Sequence, residues 1–160
     1  MNRIWASWRN QYIKNISRQE GCFFCTMIQE TEDEKNLILG RFHHVFIVLN
    51  KFPYTNGHLM VVPYLHMANL CQLSPEANAE LIMMTKNAVE WLKDALHPEG
   101  FNIGMNLGKA AGAGLEDHLH MHIVPRWTGD SNFMSTLAET RVISESLRDS
   151  YNGIKKAMKL

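Results

Sequence analysis

Three histidines at alternate positions, His118, His120 and His122, are the residues whose type and spacing most directly suggest chemistry. They stand in the run His118-Leu119-His120-Met121-His122-Ile123-Val124. Extended side chains alternate faces with a period of two, so the imidazoles should share one face and Leu119, Met121 and Ile123 the other. On a helix the same positions would scatter. Burying three unpartnered imidazoles would cost on the order of several kcal/mol, which argues against a purely structural role. Two chemistries fit. Much of a histidine population is neutral and nucleophilic near physiological pH, so such a face could attack phosphorus. Alternatively, His-x-His on a strand can grip zinc.

The residues before the triad favour the first chemistry. Asn106-Leu107-Gly108-Lys109-Ala110-Ala111-Gly112-Ala113-Gly114 has three glycines and little side-chain bulk. Glycine lets backbone approach a ligand closely, and successive N–H groups can form a concave anion site. Lys109 and Arg126 are charges that could add to it. An anion cradle would then lie beside candidate nucleophiles.

The elements that must position these groups are partly visible. Residues 118–124 read as a strand that Pro125 ends. Upstream, 45–49 is apolar and β-branched, 52–57 carries Pro53 and the Asn56-Gly57 turn signal, and 58–62 reads as a return strand stopped by Pro63. Residues 74–96 read as a long helix, with Ser74 as N-cap, Pro75 in its first position, and Ala77, Leu81, Ala88, Leu92 and Leu96 as a buried stripe. Pro98 and Gly100 end it. Residues 101–107 alternate as a strand, and 108–114 form a loop. Shorter helices are expected at 4–13 and 136–148. The first 35 residues are otherwise polar and irregular, and Glu30, Glu32, Asp33 and Glu34 read as a solvated loop. The expected fold class is α+β: a mostly antiparallel sheet of about five strands, packed on one long and one or two shorter helices.

Composition narrows the function classes. The chain has 160 residues, enough for one domain with a sizeable core, and 46% are hydrophobic. Sixteen basic residues balance sixteen acidic ones, so long nucleic acid is not an expected partner. The first residues lack the apolar run of a secretory signal, and no stretch approaches a membrane span, so the expected compartment is cytoplasmic. Three unevenly spaced cysteines suit thiols or metal ligands better than disulfides.

The His-φ-His-φ-His-φ-φ pattern, with φ apolar, resembles the signature of the histidine triad (HIT) superfamily, and residues 118–124 match it at every position. Cys22-Phe23-Phe24-Cys25, Gly57-His58-Leu59-Met60-Val61-Val62-Pro63, His66, Asn102-Ile103-Gly104 and Pro125-Arg126-Trp127 extend the likeness over residues 20–130. The opening Trp5, Trp8, Arg9, Tyr12 and Ile13, with Gly112-Ala113-Gly114-Leu115-Glu116-Asp117, are similar to the bacterial branch that resembles diadenosine tetraphosphate phosphorylases.

The resemblance implies a single HIT domain over 1–160, with an N-terminal extension at 1–20 and a helical tail at 136–160. It implies hydrolysis or nucleotidyl transfer on AMP-containing nucleotides. His120 would be the nucleophile forming a nucleotidyl-histidine, His122 would assist the leaving group, and the loop backbone at Gly112, Ala113 and Gly114 would hold phosphate oxygens. Asn106 matches a phosphate-side asparagine, Asn50 stands where many members carry a ribose-binding acid, and Trp127 could cover the phosphates. His118 is either part of the catalytic set or a ligand of a structural zinc with Cys22, Cys25 and His66. No organic cofactor is expected. Inorganic phosphate or water could accept the nucleotide, and relatives form homodimers. His43, His44 and His58 read as surface or supporting residues, and His97 as a helix-end residue. Two rival readings stay open: a non-catalytic nucleotide-binding or scaffold protein, and a hydrolase with its metal at the triad itself.

Overall fold

A computed structural model of the chain describes residues 21–130 and 145–159. Its elements run α1 (Phe23–Gln29), β1 (Ile38–Arg41), β2 (Val45–Leu49), β3 (Leu59–Pro63), α2 (Pro75–Leu96), β4 (Gly100–Gly104), β5 (Met121–Arg126) and α3 (Leu147–Ala157). Among the described residues the five strands form one antiparallel sheet in the order β1-β2-β3-β5-β4. The expected α+β class is the one observed.

The central strands explain the layering. Every residue of β2 and β3 is buried, so both faces of the hairpin are covered. Val45, Ile47, Leu49, Leu59, Val61 and Ile123 face one core with Leu81, Ala88 and Leu92 of α2 and Tyr151 and Ile154 of α3. Phe46, Val48, Met60 and Val62 face the other way, onto Phe24 of α1. Directly opposed residues share a face, so Met60, paired with His122, sets that histidine on the α1 side.

The helix and turn expectations hold where local chemistry dictates them. Ser74 Oγ accepts from the Ala77 N–H, and Pro75 opens α2. His97 ends the helix in the left-handed conformation, in keeping with its reading as a helix-end residue. Gly57 has φ of +70°, and a Cβ there would lie 2.3 Å from Leu96 Cδ1, so the turn needs glycine twice over.

Both proline limits need correction. Pro63 belongs to β3 and Pro125 to β5. The β3–β5 ladder runs only from Leu59↔Ile123 to Val61↔Met121, so each proline sits where one side of its strand has no ladder to feed. The strand expected over 118–124 begins only at Met121, because the preceding backbone bonds elsewhere: the Leu119 N–H donates to Met67 O at 2.6 Å. The strand expected over 101–107 is shorter, at Gly100–Gly104.

Two elements have no counterpart in the sequence reading: α1 lies in the stretch that reads as irregular, and β1 in the unassigned residues that follow it. β1 pairs with β2, and α1 forms without a side-chain N-cap bond. A helix of seven residues is marginal alone and depends on tertiary contacts. Here Phe24 is buried, and Arg41 of β1 donates to Met27 O, Ile28 O and Glu30 O at the far end. Asp33 leaves the solvated acidic run to pair with Arg41 at 2.8 Å. The expected helix at 4–13 lies outside the described residues, as does most of that at 136–148. In the described part the terminal helix starts only after Ser146, whose Oγ accepts from the Asp149 N–H. Among the described residues no helix is long and apolar enough to cross a membrane.

Candidate active site and metal centre

Two clusters meet on the α1 side of the sheet, and His118, His120 and His122 divide between them. Although the ladder starts late, side-chain alternation persists: the rings of His118 and His120 lie 5.2 and 5.4 Å from that of Phe24, and the His120 and His122 rings are 4.7 Å apart.

His118 is fully buried. Its Nε2 lies 2.8 Å from Pro63 O. A carbonyl only accepts, so Nε2 carries the proton and Nδ1 keeps its lone pair. That Nδ1 lies 3.2 Å from Cys22 Sγ, 3.3 Å from His66 Nδ1 and 3.7 Å from Cys25 Sγ. The four donor atoms lie within 4.8 Å of one another. α1 supplies the two sulfurs from its N-terminal end, and the segment after β3 supplies His66. Two thiolates and two imidazole lone pairs converging on one point repel unless a cation sits among them. The set fits a closed tetrahedral metal centre. Burial, then neighbouring Cys22, pushes the Cys25 thiol up without such a cation. Burial likewise holds His118 below the ordinary histidine value, against the opposing pull of its Pro63 bond.

His120 uses its ring the other way round. Nδ1 lies 2.8 Å from His118 O and must donate to it, which leaves the lone pair on Nε2. Burial keeps the imidazole below its ordinary value and so neutral, outweighing that backbone bond. His120 and His122 both line a pocket with Phe23, Phe24, Asn50, Phe52, Tyr54, Met60, Asn106, Gly114 and Leu115.

A fourth histidine orients His122. His58 is fully buried, and its Nε2 lies 2.9 Å from His122 Nδ1. The Tyr54 N–H donates to His58 Nδ1 at 3.1 Å, so the His58 proton is on Nε2 and is given to His122 Nδ1. His122 therefore carries its own proton on Nε2. One pocket imidazole offers a lone pair and its neighbour a proton.

Of the residues expected to contact nucleotide, Asn50, Asn106 and Gly114 line this pocket. Gly112, Ala113 and Trp127 are not among its lining residues, and neither is His118. The glycine loop contains a short 3-10 turn at Lys109–Ala111, with Gly108 and Gly112 at positive φ. Arg126 is not a free charge for phosphate. Asp130 grips it through both oxygens at 2.5 and 2.7 Å, and Asn102 accepts a further bond. The aromatic wall went unread in the sequence. Phe24 looked like the spacer of a Cys-x-x-Cys pair, and Tyr54, stacked on His122 at 6.0 Å, like a turn residue.

With that geometry in place, the site and the sheet define a histidine-triad architecture, and comparison with known proteins gives the same class. A HIT domain family model matches residues 30–129. The chain belongs to the HIT domain family. It is 40% identical over 157 residues to the AP-4-A phosphorylase of Mycobacterium tuberculosis, covering 93% of this chain and 80% of the relative. Its fold matches the crystal structure of a Zn-bound histidine triad family protein from Mycobacterium smegmatis, with a TM-score of 0.70 and 26% identity over 87% of this chain and 94% of the other. The crystal structure of a hypothetical histidine triad nucleotide-binding protein from Sulfolobus tokodaii gives 0.69 and 26%, covering 86% and 92%.

Proposed function

We propose that this protein is a HIT-family enzyme that cleaves dinucleoside polyphosphates of the diadenosine tetraphosphate kind, or related AMP conjugates, through a nucleotidyl-histidine. The observation that carries the reading is the hydrogen-bond geometry of neighbours in one pocket, which leaves a lone pair on His120 Nε2 and an N–H on His122 Nε2. His120 Nε2 attacks the α-phosphorus and a P–N bond forms. The bond from phosphorus to the bridging oxygen breaks with its electron pair going to that oxygen, and the His122 Nε2–H donates a hydrogen bond to it as it leaves as the polyphosphate anion. An acceptor, inorganic phosphate or water, then displaces the nucleotide and returns His120 to its starting form. Asn106 and the backbone at Gly114 supply donors to phosphate oxygens, while the Gly112 and Ala113 N–H groups close the loop onto Lys109 O and Gly108 O and shape it, and Trp127 borders the phosphate side. The pocket shares Phe23, Asn50, Phe52 and Met60 with a wider groove of about 1610 Å³, room for the nucleoside portions.

In this reading Cys22, Cys25, His66 and His118 hold a structural zinc. His118 serves the metal, and its carbonyl orients His120. These four side chains would hold the ion in a closed set that ties α1 to the catalytic segment, with no open position for substrate. A cytoplasmic setting keeps both thiols reduced. A homodimer is proposed through the β4 edge, where Ile103 is 48% exposed, and the outer surface of α2, where Ile82 is 55% exposed. The 40% identity to a phosphorylase favours phosphate as acceptor. Chromatography of products from diadenosine tetraphosphate, with and without excess phosphate, tests this. ADP plus ATP only with phosphate is expected; AMP plus ATP regardless of phosphate would make it a hydrolase. No product in either case would overturn the substrate class and favour a binding protein.

A further inference from the structure

We infer that Phe24 is a positioning residue that couples the metal centre to the nucleotide pocket, so that a filled centre tightens nucleotide binding and a bound nucleotide retains the metal. The inference rests on the proposed zinc site and the proposed nucleotide pocket. Phe24 stands between two of the four metal-site residues, in the run Cys22-Phe23-Phe24-Cys25. It is 1% exposed, and its ring lies 5.2 Å from that of His118 and 5.4 Å from that of His120. One side chain thus packs against a metal-site imidazole and against the pocket imidazole two residues on. Phe24 also lines the pocket itself, with the Phe23 ring 4.1 Å away beside it.

The place of the Phe24 ring is set by α1, and the two ends of α1 are held by different means. At the far end Arg41 donates to Met27 O, Ile28 O and Glu30 O. At the near end no side chain caps the first turn. There Cys22 and Cys25 meet His66 and His118, with donor atoms within 4.8 Å of one another. With an ion among them, these four side chains join the first turn to the histidine segment. Without one, two sulfurs and two imidazole lone pairs crowd together with nothing to bind them. A helix of seven residues is too short to keep its own first turn in place. Phe24 then loses its fixed position, and the pocket loses a wall. Coupling between two sites is reciprocal, so a nucleotide that needs this wall must raise the affinity for the ion by the same factor. The bond from His120 Nδ1 to His118 O runs beside the Phe24 contact. Substitution of Phe24 leaves that bond in place and so separates the two routes.

Competition with a chromogenic chelator gives the zinc affinity of the full chain with and without saturating AMP. In the wild type AMP should tighten zinc about tenfold. In Phe24→Leu and Phe24→Met, which fill the place without a ring, AMP should change zinc affinity by less than about twofold. Phe46→Leu is the control for simple loss of packing. Phe46 belongs to the same apolar cluster, 6.0 Å from Phe24, and is not among the residues lining the pocket. The wild-type coupling should persist there. The carbon-13 methyl signal of Met60, which lines the pocket and shares a cluster with Phe24, reports the wall with no nucleotide present. It should move on zinc removal in the wild type and in Phe46→Leu, and far less in the Phe24 variants. Equal zinc affinity with and without AMP in the wild type, full coupling in the Phe24 variants, or coupling lost in Phe46→Leu would each overturn the inference. Should AMP fail to bind the zinc-loaded wild type, the proposed substrate class fails by itself, and the Met60 signal decides: a signal indifferent to zinc overturns the role of Phe24. A chain that takes up no zinc overturns it together with the reading of the four ligands.

Discussion

His118 and His120 stand two residues apart, both buried and both against Phe24, yet they present opposite nitrogens. His118 spends its Nε2 proton on Pro63 O and turns Nδ1 to two sulfurs and an imidazole. His120 spends its Nδ1 proton on His118 O and leaves Nε2 on the pocket. The difference is made by which nitrogen finds a carbonyl. A ring whose lone pair meets three other donors is suited to a closed cation site. A ring whose lone pair meets a ligand pocket, beside a neighbour that carries a proton, is suited to attack.

Breaking the open half should have the largest effect. His120→Ala is expected to lower turnover by about four orders of magnitude or more, while equilibrium binding of nucleotide persists. Substantial remaining kcat would remove His120 from the nucleophile role. Breaking the closed half should act on stability instead. Cys22→Ser, or strong chelation, is expected to lower unfolding free energy on the order of several kcal/mol, read by thermal denaturation with and without zinc. If chelation stopped turnover at once with no change in melting, the metal would belong to the reaction.

Smaller perturbations sharpen the comparison. Arg41→Ala removes the donors that hold the end of α1 against β1. It should cost about 1–3 kcal/mol and speed zinc loss to a chromogenic chelator, since α1 carries Cys22 and Cys25. Unchanged zinc retention would show that α1 needs no anchor at β1. Gly57→Ala forces a Cβ into Leu96 at positive φ, against α2 and away from the Cys22, Cys25, His66 and His118 cluster. About 1–3 kcal/mol of stability should be lost with zinc content unchanged. A fall in zinc content would mean that the two halves of the sheet are more tightly coupled than their packing suggests.

What the sequence reveals follows from where the controlling forces lie. The α2 helix is legible because Ser74, Pro75 and an apolar stripe are local signals, and the β2–β3 hairpin because Pro53 and Asn56-Gly57 punctuate apolar runs. The triad is legible because alternation is a property of extended backbone, even where no ladder forms. α1 and β1 are not. α1 is held by Phe24 burial and by Arg41 reaching from another element, and neither contact is written in its own residues. The prolines mislead because their tolerance depends on where a neighbouring ladder stops. The grouping of Cys22, Cys25, His66 and His118 follows from the family resemblance, whereas the division of labour between His118 and His120 depends on two carbonyls that only the fold brings near.

The central claim is that His120 becomes covalently attached to nucleotide. Rapid quenching of the wild-type enzyme with diadenosine tetraphosphate, at a pH that preserves P–N bonds, followed by mass spectrometry of the intact protein and its peptides, tests this most directly. The account predicts one adenylyl group, on the peptide spanning 118–126 and located at His120, and absent from His120→Ala. Steady turnover with no adduct at any quench time, or an adduct at another residue, would contradict it.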